Sequence, residues 1–272
     1  MKLYGVIGNP IGHSLSPLLH NWALAQAGLQ DKCFYMAWEV GSNQLTAFLN
    51  HLNLFQVKGL SVTIPHKQAI LNFADKIDPL AQQIGAANTL VWQQDTWQAY
   101  NTDLFGFCAP LKQLELVLKS ALILGAGGAS LAVIHGLKDL GIKKIYLTNR
   151  TWDKTKTLAK KFDLIAVPWE ERHTIQAELL VNTTPLGMQG KLVNLTPWEG
   201  SFTGVKVAYD LIYNPLQTLF LKQAVRAGCK TFSGLTMFVY QAQKQFELFT
   251  GIKFNFCQAF NLLQTHLQQA SA

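Results

Sequence analysis

Short, mainly apolar runs alternate along the chain with longer stretches of helical periodicity. Runs of strand length lie at Leu3–Ile7, Cys33–Val40, Gly59–Thr63, Thr89–Gln93, Ala121–Leu124, Lys144–Thr148, Leu179–Asn182 and Lys206–Asp210. Between them, apolar residues recur every three or four positions over Ser16–Ala27, Asn43–His51, Leu131–Leu140 and Trp152–Lys161, which predicts helices there. The segment from Leu235 to Gln269 reads as two helices separated by a turn at Thr250-Gly251. Strands that alternate with helices in this way belong to βαβ units, so the pattern predicts an α/β protein built on parallel sheet.

The alternation breaks between Asn101 and Lys119, where a helix-like stretch leads into a new strand and a glycine loop. A second break lies near Ser233-Gly234. With 272 residues the chain has room for just under two domains at ~150 residues each. The expected organisation is an N-terminal α/β unit, residues 1–102, to which the helices of 235–272 return, with a second α/β unit, residues 103–234, inserted between them.

Composition narrows the function. Hydrophobic residues make up 49% and charged residues 14%, which excludes a disordered chain. Lys+Arg 23 against Asp+Glu 16 gives a net charge of +7, a balance that favours anionic ligands. The basic residues are dispersed in nothing longer than pairs, so nucleic acid is not an expected partner. No apolar run reaches the ~18 residues of a membrane span, and Gly8-Asn9-Pro10 comes too early for the apolar core of a signal peptide. The four cysteines, Cys33, Cys108, Cys229 and Cys257, form no CxxC pair and read as reduced thiols of a cytoplasmic protein. The histidines show no metal-ligand spacing, and no metal is expected.

The clearest chemical signal is Ala121–Leu124 running into Gly125-Ala126-Gly127-Gly128-Ala129-Ser130 and then an apolar helix. Glycines after a strand let backbone approach a pyrophosphate, and the following helix N-terminus supplies N–H donors. Ser130 takes the place of the third glycine of GxGxxG and is small enough for close packing. The next strand ends at Asn149-Arg150-Thr151, where a ribose-reading acid would select NAD. Arg150 stands there instead, with Lys154 one helical turn on. A guanidinium suits a 2′-phosphate, so the expected cofactor is NADP.

The first half offers polar groups at strand ends. Ser16 before Pro17 reads as a helix N-cap with proline at the first helical position, while Ser14 has less structural reason to be there. Thr63 and Lys67 follow the strand that ends Val62-Thr63-Ile64-Pro65-His66-Lys67, and Asp103 sits at the domain break in Asn101-Thr102-Asp103.

These motifs, in this order, resemble the shikimate/quinate dehydrogenase family over nearly the whole chain. Ser14-Leu15-Ser16-Pro17 is similar to its substrate-carboxylate loop, Val62–Lys67 to the segment of its catalytic lysine, and Asn101–Asp103 with Gly106 to that of its catalytic aspartate. Ala86-Ala87-Asn88-Thr89 is similar to its substrate-contacting asparagine segment. Asn182–Met188, Asp210–Pro215 and Gly234 to Ala242 resemble its later cofactor and substrate segments.

The resemblance implies an N-terminal α/β substrate domain over 1–102 with the returning helices of 235–272, an inserted Rossmann-type NADP-binding domain over 103–234, and reversible, NADPH-dependent reduction of 3-dehydroshikimate to shikimate in aromatic amino-acid biosynthesis. Lys67 and Asp103 would carry proton transfer; Ser14, Ser16, Thr63, Asn88, Tyr213 and Gln241 would bind substrate. Besides Gly125–Ser130, Asn149, Arg150, Thr151 and Lys154, it implies cofactor contacts from Thr183, Met188, Leu211, Gly234 and Met237. Three places depart from the family: Ser61 stands where asparagine is common, Leu131 where an arginine often follows the glycine loop, and Gln189-Gly190-Lys191-Leu192 after Met188 is not diagnostic of it. Quinate turnover stays open, as does a homodimer. A non-catalytic dinucleotide sensor, the alternative of a different class, would be expected to have lost Lys67 or Asp103, and both are present.

Overall fold

The computed structural model describes residues 1–269. The chain divides into two compact units, Met1–Gly106 with Val239–Leu263, and Phe107–Phe238 with the residues from Gln264 on.

In the first unit the chain forms β1 (Lys2–Gly8), α1 (Ser16–Gln26), β2 (Cys33–Glu39), α2 (Leu45–Asn50), β3 (Val57–Val62), β4 (Lys76–Ile77), α3 (Pro79–Ile84), β5 (Thr89–Gln93) and β6 (Thr96–Tyr100). The six strands make one sheet in the order β2-β1-β3-β5-β6-β4. Strands β1, β2 and β3 are parallel, whereas β5 runs antiparallel to both β3 and β6. Burial follows position in the sheet. β1 and β3 are buried almost throughout, while the edge strand β2 alternates buried and exposed residues, as one covered face requires. Ile7, Leu60 and Leu90 are fully buried at the centre of this core.

Helix α4 (Asp103–Lys112) leads into the second unit. There follow β7 (Ser120–Leu124), α5 (Gly128–Asp139), β8 (Lys144–Thr148), α6 (Trp152–Phe162), β9 (Ile165–Val167), a 3-10 turn at Trp169–Thr174, β10 (Leu179–Asn182), β11 (Val207–Asp210), α7 (Leu219–Arg226) and β12 (Lys230–Phe232). The sheet is wholly parallel in the order β12-β11-β10-β7-β8-β9, the doubly wound dinucleotide-binding order with its switch point between β7 and β10. Strands β10 and β11 are buried at every position, so their sequences are continuous rather than alternating. Helices α8 (Gly234–Thr250) and α9 (Phe256–Gln269) end the described chain.

The division falls at Gly106/Phe107 and Phe238/Val239, and the end of α9 groups with the second unit. Each of these points lies inside a continuous helix, where no turn residue marks a change of unit. The second glycine-loop helix also begins earlier than its apolar periodicity suggests, at Gly128 rather than Leu131, because the loop glycines themselves enter the first turn.

Candidate active site

One edge of the first sheet gathers most of the chemistry predicted for that unit. Parallel strands β1 and β3 end there, and their loops carry Ser14, Ser16, Thr63 and Lys67. Because β5 is antiparallel to β3, its start lies at the same edge. The register Ser61↔Thr89 and Thr89↔Tyr100 therefore brings Asn88 and the residues after Tyr100 beside β3's end. Backbone bonds fix the three segments: Val62 N–H donates to Asn88 O (2.7 Å), Asn88 N–H to Tyr100 O (3.0 Å) and Ala87 N–H to Lys67 O (2.8 Å).

On this frame Lys67 Nζ donates to Asp103 Oδ2 at 2.6 Å. The other carboxylate oxygen, Oδ1, accepts from Asn88 Nδ2 at 2.9 Å. Asn88 is itself held from all sides. Its Oδ1 accepts from Thr102 N–H and Thr89 Oγ1, both at 2.8 Å, and its amide also faces Thr102 Oγ1 at 2.9 Å and Gln241 Oε1 at 3.3 Å. Asp103 is the first residue of α4, but its carboxylate serves Lys67 and Asn88; the Asp103 N–H donates to Asn101 Oδ1 at 3.1 Å. The lysine side chain keeps 32% of its surface exposed against 15% for the aspartate, so the ammonium is the partner open to a ligand.

Ser16 corrects the N-cap expectation. Helix α1 takes Leu15 as its N-cap, with Ser16 already helical. The Ser16 N–H is met by Ser14 Oγ at 3.3 Å, so the capping work moves to the serine two residues earlier. Ser16 is buried, whereas Ser14 and Thr63 stay partly accessible.

In the second unit the glycine loop lies between β7 and α5, at the switch point. Gly125 has φ +114°, and a Cβ there would come within 2.6 Å of Thr183 Oγ1, which excludes a side chain. A Cβ on Gly127 or Gly128 would meet nothing within 4 Å. These two glycines thus border open space that a side chain would fill. Asn149 joins this loop to the end of β8: its Oδ1 accepts from Ala126 N–H at 3.4 Å and its Nδ2 donates to Thr151 O at 3.3 Å. Arg150 is exposed and lines one cleft with Gly125, Ala126, Gly127, Asn149 and Thr183. Lys154 lines an adjoining recess with Ala126. Thr151 caps α6 through its carbonyl, not its side chain.

Ser130 is wholly buried, and its hydroxyl donates to Gly127 O at 2.6 Å, so it braces the loop from inside. Thr183 does likewise, with its hydroxyl 3.1 Å from both Leu124 O and Gly125 O. Tyr213 packs its ring on Phe238 at 5.8 Å, and burial raises its phenol pKa. Leu211 and Gly234 touch so closely that a Cβ on Gly234 would lie 2.1 Å from Leu211 O. Met188 is exposed and Met237 half-buried.

Sequence reasoning passed over a buried cluster at the ends of β10 and β11 in the second unit. Asp210 accepts from Thr218 Oγ1 (2.6 Å), Asn182 Nδ2 (3.0 Å) and Ile212 N–H (3.0 Å), tying the ends of β10 and β11 together. Burial pushes its carboxyl up to about 6, with these three donors acting against it. It also passed over Trp169, which stands in the wall of the Arg150 cleft. The three-residue strand β9 before it is too short to show a period.

Three family models match the chain: the shikimate dehydrogenase substrate binding domain over residues 6–90, shikimate / quinate 5-dehydrogenase over 110–184, and the shikimate 5'-dehydrogenase C-terminal domain over 234–256. The chain is 44% identical to the shikimate dehydrogenase (NADP(+)) of Oleidesulfovibrio alaskensis, covering 96% of this chain and 94% of that one.

The chain belongs to the shikimate dehydrogenase family.

A second relative, from Maridesulfovibrio salexigens, is 41% identical over 96% of both chains. Among solved structures, the shikimate 5-dehydrogenase of Thermus thermophilus in complex with NADP(H) and shikimate superposes with a TM-score of 0.86 at 33% identity. That match covers 97% of this chain and 99% of the other. The family's two-domain α/β fold is the one described above, and no helix among the described residues is long and apolar enough to cross a membrane.

Proposed function

We propose that the chain is an NADP-dependent oxidoreductase that reversibly reduces 3-dehydroshikimate to shikimate. The observation that carries this reading is the Lys67–Asp103–Asn88–Gln241 cluster, a charged donor set among neutral hydrogen-bonding groups at one sheet edge. Family membership supplies the reaction class, and the glycine loop with Arg150 suits the cofactor named for its relatives.

NADPH, when bound, supplies the hydride that adds to the carbonyl carbon. Lys67 gives the carbonyl oxygen its proton and takes one back in the reverse direction. Asp103 orients the ammonium through Oδ2 while Asn88 fixes Oδ1. Holding both oxygens keeps the carboxylate from turning away and places the ammonium before substrate arrives. Ser14, Ser16, Thr63, Asn88 and Gln241 are uncharged groups suited to a small polyol carboxylate, and a ligand lacking a hydroxyl would leave one of them unpaired. Gly127 and Gly128 admit the pyrophosphate, and Arg150 with Lys154 receives the 2′-phosphate. We place the enzyme in the cytoplasm, on the reading of its cysteines as reduced thiols.

The test is initial-rate spectrophotometry of nicotinamide reduction, crossing shikimate and quinate with NADP and NAD. Turnover mainly with shikimate and NADP is the expected result. Comparable turnover of quinate moves the protein to a broader specificity, and no turnover with intact NADP binding overturns the catalytic reading.

A further inference from the structure

Trp169 opens the 3-10 turn after β9, and its indole is only half-buried. Arg172, one turn on, is 7% exposed and spends its guanidinium on this tryptophan. Its Cζ lies over the indole, 4.1 Å from the ring centroid, and Nη1 donates to Trp169 O at 2.6 Å. Nε donates to Pro197 O at 2.8 Å, which anchors the arginine to a separate loop. One face of the indole is thus covered by a buried cation that also holds the tryptophan backbone. The ring's remaining surface lines the cleft that contains Gly125, Arg150 and Thr183.

Strand order says which part of a nucleotide meets it. Along the sheet edge, β7 ends in the glycine loop, β8 in Arg150, and β9 in Trp169. A dinucleotide with its pyrophosphate on the first and its ribose phosphate at the second has its purine left for the third. A flat aromatic surface backed by a fixed guanidinium is a stacking platform for such a base.

We propose that Trp169 is the adenine platform of the cofactor site, held in place by Arg172. This rests on the NADP reading above. The same nitrogen-rich ring would stack any adenine nucleotide, while the 2′-phosphate contact stays with Arg150. Trp169 therefore sets affinity for the adenosine half as a whole, without choosing between NADP and NAD.

The test is isothermal titration of the full-length chain with adenosine 2′,5′-bisphosphate and with reduced nicotinamide mononucleotide. Trp169→Leu is expected to weaken the bisphosphate roughly tenfold or more, with the mononucleotide unchanged, and Trp169→Phe to stay within roughly threefold of wild type. Wild-type protein with 1,N6-ethenoadenosine 2′,5′-bisphosphate gives a reading that needs no variant: stacking on the indole shortens the probe's fluorescence lifetime on binding. A Leu variant that binds the bisphosphate like wild type, or an unchanged probe lifetime in the bound state, overturns the proposal. If wild type binds neither the bisphosphate nor NADPH, the NADP reading fails and takes this one with it.

Discussion

Ser61 Oγ donates to Gln245 Oε1 at 2.8 Å, between residues 184 apart in sequence. The same hydroxyl accepts from Tyr35 OH at 2.7 Å. Gln245 then donates through Nε2 to Asn88 O and to Thr89 Oγ1, each at 3.0 Å. A buried chain of hydrogen bonds therefore runs from Tyr35 to the backbone of the asparagine that fixes Asp103. Ser61 makes both of these hydrogen bonds inside the protein. Its role in this chain is to hold the frame behind Lys67.

Ser61→Ala would leave the Tyr35 hydroxyl and the Gln245 carbonyl without this partner in a region where Ser61, Tyr35 and Gln245 are 4%, 1% and 1% exposed. Each orphaned buried group costs about 1–3 kcal/mol. Urea unfolding should show a loss in that range. A variant with wild-type stability would mean that the chain of bonds closes without the serine.

Lys67→Ala removes the proposed proton donor and leaves Asp103 Oδ2 without its 2.6 Å partner. A positioned acid or base contributes roughly 10²–10⁴-fold, so kcat should fall by that order. NADPH affinity, assigned in the proposed reading to the glycine loop and Arg150, should hold. Equal losses in kcat and in NADPH binding by titration would remove Lys67 from the proton-transfer role.

Arg150→Ala addresses the cofactor choice. A hydrogen bond to a charged group contributes about 1.5–3 kcal/mol, which predicts NADP binding weakened roughly ten- to a hundredfold. NAD lacks the phosphate and should change by less than about threefold. The ratio of the two dissociation constants is the readout, and a constant ratio would take the 2′-phosphate away from this side chain.

Much of this was legible before any coordinates. Strands such as β5, β8 and β10 coincide with their apolar runs, because a strand of four or five buried residues bounded by polar turns has little freedom in where it ends. Lys67, Asn88 and Asp103 could be named from motifs, yet only the antiparallel turn of β5 shows why residues on three segments meet. The hydrogen-bonding of Ser61, Gln245 and Asp210 was hidden for a different reason. A serine or glutamine on a helix or strand looks the same in sequence whether it faces water or a partner 184 residues away. Trp169 was missed because its structural signal is a guanidinium on one face, which periodicity does not record. The chain passes from one unit to the other inside α4 and α8, where helical sequence runs on without a break and no residue type marks the change.

Asp210 carries the pH prediction. Its carboxyl is raised from an ordinary 3.8 to about 6 by burial, so the folded chain keeps a proton that the unfolded chain gives up. Between about pH 4 and 6 the native state binds more protons than the unfolded state, and stability must fall as pH rises through that window. The loss is complete near pH 7 and amounts to at most about 3 kcal/mol. Asp210→Asn stands in for the protonated acid: it keeps an acceptor for the Ile212 N–H and can turn an amide N–H toward Thr218 Oγ1. Wild type and variant should therefore be close in stability near pH 4, with the variant the more stable at pH 7. Burial holds His20 down at about 3, which makes both proteins less stable in acid and cancels in the difference between them. Paired urea unfolding curves at each pH give that difference directly. If it does not vary between about pH 4 and 7, Asp210 is ionised in the native state throughout and its three donors outweigh its burial.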